Sequence, residues 1–435
     1  MPTRLLPARA CADMQTRKPA QDTDVIIIGG GIIGICIAAY LAEAGKKILV
    51  LDRSGICEET SAGNAGALAF SDILPLAHKD MLSQVPGWLR DPLGPLAIPP
   101  AYLPRLLPWL WRFLKAGRAE YFEAAVSAQA SIMALAEREW MTLIGRLAMK
   151  DMLREDGCLE LYESDEAFRA AEEGWRLRRR FHIPYQQLEK HEIARYQPGL
   201  SDIFTRAVFV PGWKTVSDPQ QVGHAVWAHA EFHGARLMPL TATAVKTEED
   251  RIAVSVSNGE KFIGNQVIIA AGAWSRPFAA SFGDRVPLET ERGYNTTLPA
   301  GSFDLQRQLI FPRHGFVITP LDTGLRIGGA VEFGGLKRPP NFARSRAMLE
   351  KASRFLPGLK TEGGRQWMGY RPSLPDSLPV IGRSRKEPRV LYAFGHGHLG
   401  LTQAAATGRI VRDLLLDRPP PIALEPFAAD RFQTR

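Results

Sequence analysis

Near its start the chain carries residues suited to binding phosphate. The run Asp24-Val-Ile-Ile-Ile-Gly29-Gly30-Gly31-Ile32-Ile33-Gly34 joins a β-branched stretch to glycines spaced G-x-G-x-x-G. The apolar stretch reads as a buried parallel strand. Gly29 permits the tight turn, Gly31 lets backbone approach a pyrophosphate, and Gly34 lets helix pack close to strand. Past Ile32, Ile33 and Gly34, Ile35 opens an Ala-rich helix ending at Gly45, whose first N–H groups would face the phosphates. A second strand, 47–51, ends at Asp52, where an acid contacts a ribose; Arg53 follows it. The glycines alone are a weak signal. Strand, glycines, helix, strand and acid in that order predict a bound dinucleotide.

A second chemistry-bearing stretch lies late in the chain, Gly395-His396-Gly397-His398-Leu399-Gly400-Leu401-Thr402. An unperturbed imidazole titrates near neutral pH, so both histidines are candidates for proton chemistry. Neither they nor the four cysteines (Cys11, Cys36, Cys57, Cys158) show metal-ligand spacing, and no metal is expected.

Elements must hold these residues in place. At 435 residues the chain suggests two closely joined domains. A 45% hydrophobic and 23% charged composition is that of an ordinary soluble globular protein. The net charge of +8 is mostly dispersed, which argues against nucleic acid and leaves acidic small molecules or an anionic membrane. Arg176, Arg178, Arg179 and Arg180 cluster, but beside Glu172 and Glu173, as on a solvated helix face. The cysteines do not form a disulfide framework and fit a reducing, cytoplasmic compartment. No apolar stretch has the length of a spanning helix.

Three blocks, 24–75, 215–285 and 365–417, read as one discontinuous dinucleotide-binding domain. The second opens on Ser217-Asp218-Pro219, a helix N-cap with Pro in the first turn. It closes on Val267-Ile-Ile-Ala270-Ala271-Gly272-Ala273-Trp274-Ser275, a buried strand running into small residues that let backbone lie against a ligand. Blocks 76–214 and 286–364 form a second domain, rich in helix formers first and strand pieces later. Residues 1–23, polar and basic without an apolar core, are expected to be a disordered extension, with Met14 an alternative start. Residues 418–435 are expected to be a C-terminal tail.

Five ordered motifs together resemble the flavin-dependent D-amino-acid dehydrogenase and glycine/sarcosine oxidase (DAO) family. They are the glycine turn, Thr60-Ser61-Ala62-Gly63-Asn64-Ala65-Gly66, Ala270–Trp274, the Tyr370-Arg371-Pro372 run through Gly382, and Gly395–Thr402. The resemblance covers Asp24 to about Asp417 and is closest to the bacterial D-amino-acid dehydrogenases. Within that branch, Glu291-Arg-Gly-Tyr294-Asn-Thr296 is similar to enzymes acting on cis-4-hydroxy-D-proline. It implies an α/β fold, with a Rossmann-like parallel-sheet FAD domain and a substrate domain with a mixed or antiparallel sheet.

Oxidising an amino acid at its α-carbon needs a hydride acceptor, which no side chain supplies, so the cofactor takes the hydride while protein aligns the bond. A neutral amine is required, and no protein base is nominated. The substrate carboxylate needs a planar, permanently charged fork. The resemblance assigns that role to Arg371; the alternative is an ordinary surface arginine. Tyr294 would line the pocket, or pack on a substrate-domain strand. Trp367, four positions before that arginine, could wall the pocket, with core packing the expected role. His396 is expected to be structural and His398 to line the pocket. Gly397, Gly400, Leu401 and their neighbours would aim backbone N–H groups at the flavin.

Ser61, Gly63, Asn64, Ala65 and Gly66 would pack flavin against backbone, with Ala271, Gly272 and Trp274 also at the cofactor. The resemblance places the backbone of Val245 at the adenine. Every cysteine lies at or before Cys158, so FAD is expected to be non-covalent. Electrons would pass to a quinone, or to oxygen in a glycine/sarcosine-type oxidase. A flavoprotein subunit active only in a hetero-oligomer, or from the first motif a nicotinamide dehydrogenase, are the other readings. Trp88, Trp109 and Trp111 with Arg105 and Arg112 would be an interfacial patch on the inner membrane, or a helix packed over the substrate domain, the expected case.

Overall fold

The computed structural model describes residues 23–433. The expected extension lies outside them apart from Thr23, as does Cys11. An eight-stranded sheet forms the first layer. Its centre is β1 (Thr23–Ile28), parallel to β2 (Ile48–Leu51) on one side and β3 (Lys261–Ile269) on the other. Arg236–Met238 continues the parallel order beyond β2. The N-terminal half of β3 carries an antiparallel hairpin, Ala242–Glu248 and Arg251–Val256, and its C-terminal half pairs with Val390–Phe394. Ile26, Ile27, Val267 and Ile269 have essentially no exposed surface. Burying such a side chain contributes about 1.5–3 kcal/mol, which is why β-branched runs occupy the covered middle of the sheet.

Helix α1 (Ile32–Glu43) leaves the end of β1, and Gly45, at φ +81°, stops the chain just beyond it. Helix α2 is Ala119–Arg146, and α3 (Gly400–Leu415), which follows the Gly395–Leu399 turn, packs between it and α1. Fully buried Trp140 of α2 donates its Nε1 hydrogen to the carbonyls of Leu401 and Thr402, both at 3.0 Å. That anchors the start of α3. The expected helix after Asp218 runs Pro219–Phe232, with the Asp218 carboxylate accepting from the amides of Gln220 and Gln221.

A nine-stranded sheet forms the second layer. At its edge run β4 (Glu289–Leu298), β5 (Gly324–Glu332) and β6 (Arg365–Ser373), all antiparallel, with β4 between the other two. Phe316–Leu321, Gln308–Phe311, Cys158–Tyr162, Arg206–Val210 and Gln186–Glu189 follow beyond β5, and the short strand Leu96–Ala97 pairs with the end of β5 to complete it.

Three segment boundaries read from the sequence are corrected. The stretch 365–373 belongs to the second sheet, because pairing along β4 satisfies its backbone groups. Helix α2 packs Ile132, Ala136, Trp140 and Leu143 into the core beneath the first sheet. The stretch 418–433 is no loose tail: Phe427 and Ala429 are buried in the two cores flanking that sheet, and Arg431 pairs with Asp376 at 2.8 Å.

The Trp- and Pro-rich stretch forms helices Lys79–Arg90 and Leu103–Ala116. Leu106 and Trp109 of the second pack against Phe333, as a covering helix would. Its other face exposes Leu107, Trp111 and Leu114, Trp111 by 61%. Among the described residues no helix is long and apolar enough to cross a membrane.

Candidate functional site

A cavity of about 1400 Å³ runs between the two sheets, from the glycine turn to Arg371 and His398. It exceeds the usual volume of a small-ligand pocket, so it has room for a dinucleotide and a substrate together. The end of β1 and the N-terminus of α1 form one wall. Gly29 sits at φ +116°, and a Cβ there would lie 2.4 Å from the carbonyl oxygen of Ala270. A Cβ on Gly34 would lie 1.9 Å from the Gly29 carbonyl oxygen. Only glycine lets turn, helix and β3 meet this closely.

Of the glycine turn, Gly29, Gly31, Ile32 and Ile33 border the cavity; Gly34 lies behind it as the close contact to the strand. Asp52 and Arg53 border it too. The Asp52 carboxylate accepts from the amides of Gly30 (2.7 Å), Ser54 (2.8 Å) and Gly55 (3.1 Å), tying the end of β2 to the turn. The Arg53 guanidinium lies 4.3 Å from the Trp274 ring centre and pairs with Glu59. Val245, Ala271, Gly272 and Trp274 border the cavity from β3 and its hairpin.

Ser61, Gly63, Asn64 and Ala65 line the middle. Ser61 accepts the α1 amide of Ile32 at 3.1 Å through its hydroxyl. Gly66 and Thr402 lie off the cavity wall. Gly66, at φ +75°, accepts the Val216 amide, and Thr402 bridges the backbone of Ala67 and Ala69. Both shape the loop from behind. Gly397, His398, Leu399, Gly400 and Leu401 do border the cavity, at the start of α3.

Three side chains that the sequence reading did not assign, and Trp367, which it gave only as an alternative, complete the cradle. Arg326 donates to the carbonyls of Ala62 and Asn64, and Asn295 donates to that of Gly63 at 3.0 Å. Burial pulls the Arg326 guanidinium down to about 10, still charged at neutral pH. Trp367, expected in the core, borders the cavity and lies over Gly63, where a Cβ would come within 2.3 Å of its ring. Arg178, expected on a solvated face, turns inward onto Trp175, donates to Ser71 O and faces Asp72. The missed signal was alternation. Glu291, Gly293 and Asn295 of β4 share one parity and one face, turned to the cavity.

That parity also corrects Tyr294. It touches the cavity margin, but its ring is 1% exposed and packs in the core behind the second sheet. Its hydroxyl donates to the Glu332 carboxylate and accepts the Asn341 amide at 3.1 Å. Burial first, then Glu332, pushes the phenol up to about 12, so it remains a donor at neutral pH. Tyr294 ties the sheet and offers no free hydroxyl to a substrate.

Arg371 is half-buried and borders the cavity. Its Nη1 donates to the Ala330 carbonyl at 2.8 Å and Nη2 to that of Gly329 at 3.4 Å. Its strand partner is Glu291, and its guanidinium lies over the diagonal neighbour Gly293, at which a Cβ would fall 2.3 Å from Cζ. Burial pulls the guanidinium down and Glu291 opposes this. Two of five N–H donors are spent on backbone, which leaves a planar charged fork for an incoming carboxylate.

Glu291, 2% exposed, accepts from Ser373 Oγ at 2.6 Å and bonds His398 Nε2 at 2.6 Å. Burial opposes its ionisation, yet His398, Ser373 and Arg371 together hold its carboxyl below the usual range. Beyond His398 lie Asp72 and Glu160, whose carboxyls burial pushes up against the pull of Arg178. His396 is buried against Thr407 Oγ1 at 3.0 Å, and burial pushes its imidazolium down to about 3. That ring is neutral and structural. None of the three described cysteines borders the cavity, and all are buried.

The cradle therefore fits an elongated dinucleotide laid from the α1 N-terminus toward the start of α3, with one cationic fork at its far end. Residues 24–414 match the family of FAD dependent oxidoreductases designated DAO. The chain is 33% identical over 418 residues to a "D-amino-acid oxidase" of Bradyrhizobium diazoefficiens, covering 94% of this chain and 98% of that one. It is 26% identical to a "D-amino acid dehydrogenase" of Neisseria meningitidis, over 94% and 99% of the two chains. The fold is that of glycine oxidase from Geobacillus kaustophilus, with a TM-score of 0.75 over 94% of this chain and 98% of that one, at 21% identity. The chain belongs to the DAO family of FAD-dependent oxidoreductases and is an FAD enzyme.

Proposed function

We propose that this member of the FAD-dependent oxidoreductase family oxidises a D-amino acid at its α-carbon, with a cyclic imino acid such as cis-4-hydroxy-D-proline the first substrate to test. The observation that carries the reading is Arg371, a guanidinium held by two carbonyls over Gly293 at the cavity wall. The names of the two relatives support the D-amino-acid class, and the Glu291–Thr296 motif supports the imino acid. When bound, FAD would supply the acceptor for a hydride from the substrate α-carbon.

The chain's own residues do the rest. Gly29, Gly31 and the α1 amides would hold the pyrophosphate, and Asp52 would hold the ribose end. The 61–66 loop, locked by Arg326 and Asn295, supports the ring system with Trp274 and Val245 further along. Arg371 binds the substrate carboxylate and fixes which Cα bond faces the cofactor. The product is an imine, or a pyrroline carboxylate from a proline. Reduction of an artificial dye by the purified single chain, across D-amino acids and prolines, tests this. A response confined to L-amino acids or to none would reject it. Activity of the single chain would also remove the hetero-oligomer reading.

The electron acceptor in this reading is a quinone. Support comes from Leu107, Trp111 and Leu114, exposed on a helix that also carries Arg105, Arg112 and Lys115, a face suited to the cytoplasmic side of an anionic membrane. The first relative's name favours a second reading in which oxygen is the acceptor. Peroxide formed mole for mole with substrate supports oxygen; dye or quinone turnover without peroxide supports the dehydrogenase. The buried cysteines away from the cavity support non-covalent FAD. Flavin released into the supernatant by acid precipitation is the expected result.

A further inference from the structure

We propose that Glu291 and His398 form a proton-accepting dyad that takes the ammonium proton from an amino acid bound at Arg371. This rests on the amino-acid reading above. A free amino acid at neutral pH is an ammonium carboxylate, and its nitrogen has no lone pair to help the α-hydrogen leave as hydride. The proton must leave first, either in solution or at the site.

The geometry supplies a receiver. Glu291 is a buried carboxylate bonded to His398 Nε2 at 2.6 Å and fixed from its other oxygen by Ser373 at 2.6 Å. The carboxylate therefore orients the ring and faces the positive charge that forms on it, as in acid–base pairs where a carboxylate holds an imidazole in one tautomer. His398 is 36% exposed and borders the same cavity as Arg371, whose strand partner is Glu291. The charged groups facing His398 are Glu291 from β4 and Asp72 from the 69–78 segment. Arg371 and Arg178 stand one step further out, against Glu291 and Asp72 respectively. Helix α2 presents apolar Val126 and Met133 to the neighbouring Leu399.

The step balances without electron transfer. One ammonium N–H bond breaks, one N–H bond forms at the second ring nitrogen of His398, and the lone pair stays on the substrate amine. Positive charge moves from substrate to imidazole, where the Glu291 carboxylate faces it. His398 is the catalytic residue and Glu291 the positioning residue.

The test is the pH profile of anaerobic flavin reduction, read as kcat/KM, for the wild type, H398Q and E291Q. Two substrates whose ammonium groups differ in acidity are used. The wild type is expected to keep full kcat/KM well below the substrate ammonium pKa, with an acid limb at the same pH for both substrates. In H398Q only the free amine reacts, so kcat/KM falls about tenfold per pH unit below each substrate's own ammonium pKa. E291Q is expected to shift the limb the opposite way, to lower pH, with a lower plateau, because the imidazolium has lost its counter-charge. FAD content of each variant, read from its absorbance, reports whether the cradle stands. A wild-type limb that tracks the substrate ammonium pKa overturns the dyad, and that measurement needs no variant. If D-amino acids fail to reduce the flavin at all, the proposed function fails instead.

Discussion

Gly293→Ala isolates the carboxylate anchor without touching Arg371 itself. A Cβ at position 293 would lie 2.3 Å from Arg371 Cζ, 2.4 Å from Nη2 and 2.7 Å from Nη1. Ordinary carbon contacts are about 3.5 Å or more, so the guanidinium must retreat by roughly 1 Å. That retreat is resisted by the bonds to Ala330 O and Gly329 O, so the shift either breaks them or moves β5. In either case the fork no longer points where it did. A charge-assisted hydrogen bond is worth about 1.5–3 kcal/mol, which converts to a loss of about 10- to 150-fold in kcat/KM. The loss should appear mainly in KM, because the carboxylate is bound in ground and transition states alike. The assay is dye-linked oxidation of the best D-amino acid, with bound FAD and thermal midpoint measured alongside. FAD content should be unchanged, since Gly293 is remote from the glycine turn. Arg371→Lys, which keeps charge but loses the fork, should raise KM comparably. A Gly293→Ala enzyme with wild-type FAD content and KM within about twofold would refute Arg371 as the anchor.

Other perturbations separate the cradle from the substrate end. Gly34→Ala places a Cβ 1.9 Å from the Gly29 carbonyl oxygen, so α1 must leave the turn; purified protein should lack flavin absorbance. Tyr294→Phe removes a hydroxyl bound to Glu332, so the thermal midpoint should drop by an amount equivalent to about 1–2 kcal/mol while kcat/KM stays within about twofold. A large kcat loss at unchanged stability would return Tyr294 to the reacting centre. Glu387 is held down to about 2, first by its hydrogen bond from Arg389. Its folded pKa lies below the ordinary 4.5, so the unfolded chain binds the extra proton between these values. Its contribution is therefore full above about pH 4.5 and lost as pH falls toward 2. Glu387→Gln should lower the thermal midpoint at pH 7, with the gap to wild type closing in acid.

What the sequence made legible was local. Gly29, Gly34 and Asp52 could be read because their roles come from neighbours along the chain, strand into turn into helix. Arg371 was legible only through its motif, since nothing local says that Gly293, dozens of residues earlier, opens the space it fills. The two readings of Tyr294 stayed open because its face depends on strand phase, and Glu291-x-Gly293-x-Asn295 fixes that phase only once a partner strand is known. Arg326, Asn295 and Arg178 were invisible for the same reason, each reaching the cavity from a different strand or helix, and Trp367 could be read only as an alternative. The second-sheet placement of 365–373 was likewise a matter of pairing, not composition.

The central claim is that a D-amino acid, anchored by Arg371, delivers its electrons to FAD in this cavity. Anaerobic mixing of the purified flavoprotein with matched D- and L-amino acids tests it most directly, read as loss of the oxidised flavin absorbance. The account predicts bleaching by one equivalent of the D-enantiomer, with cis-4-hydroxy-D-proline among the substrates tried, and no bleaching by its L-counterpart. Bleaching by L-enantiomers alone, or none by any amino acid, would contradict it.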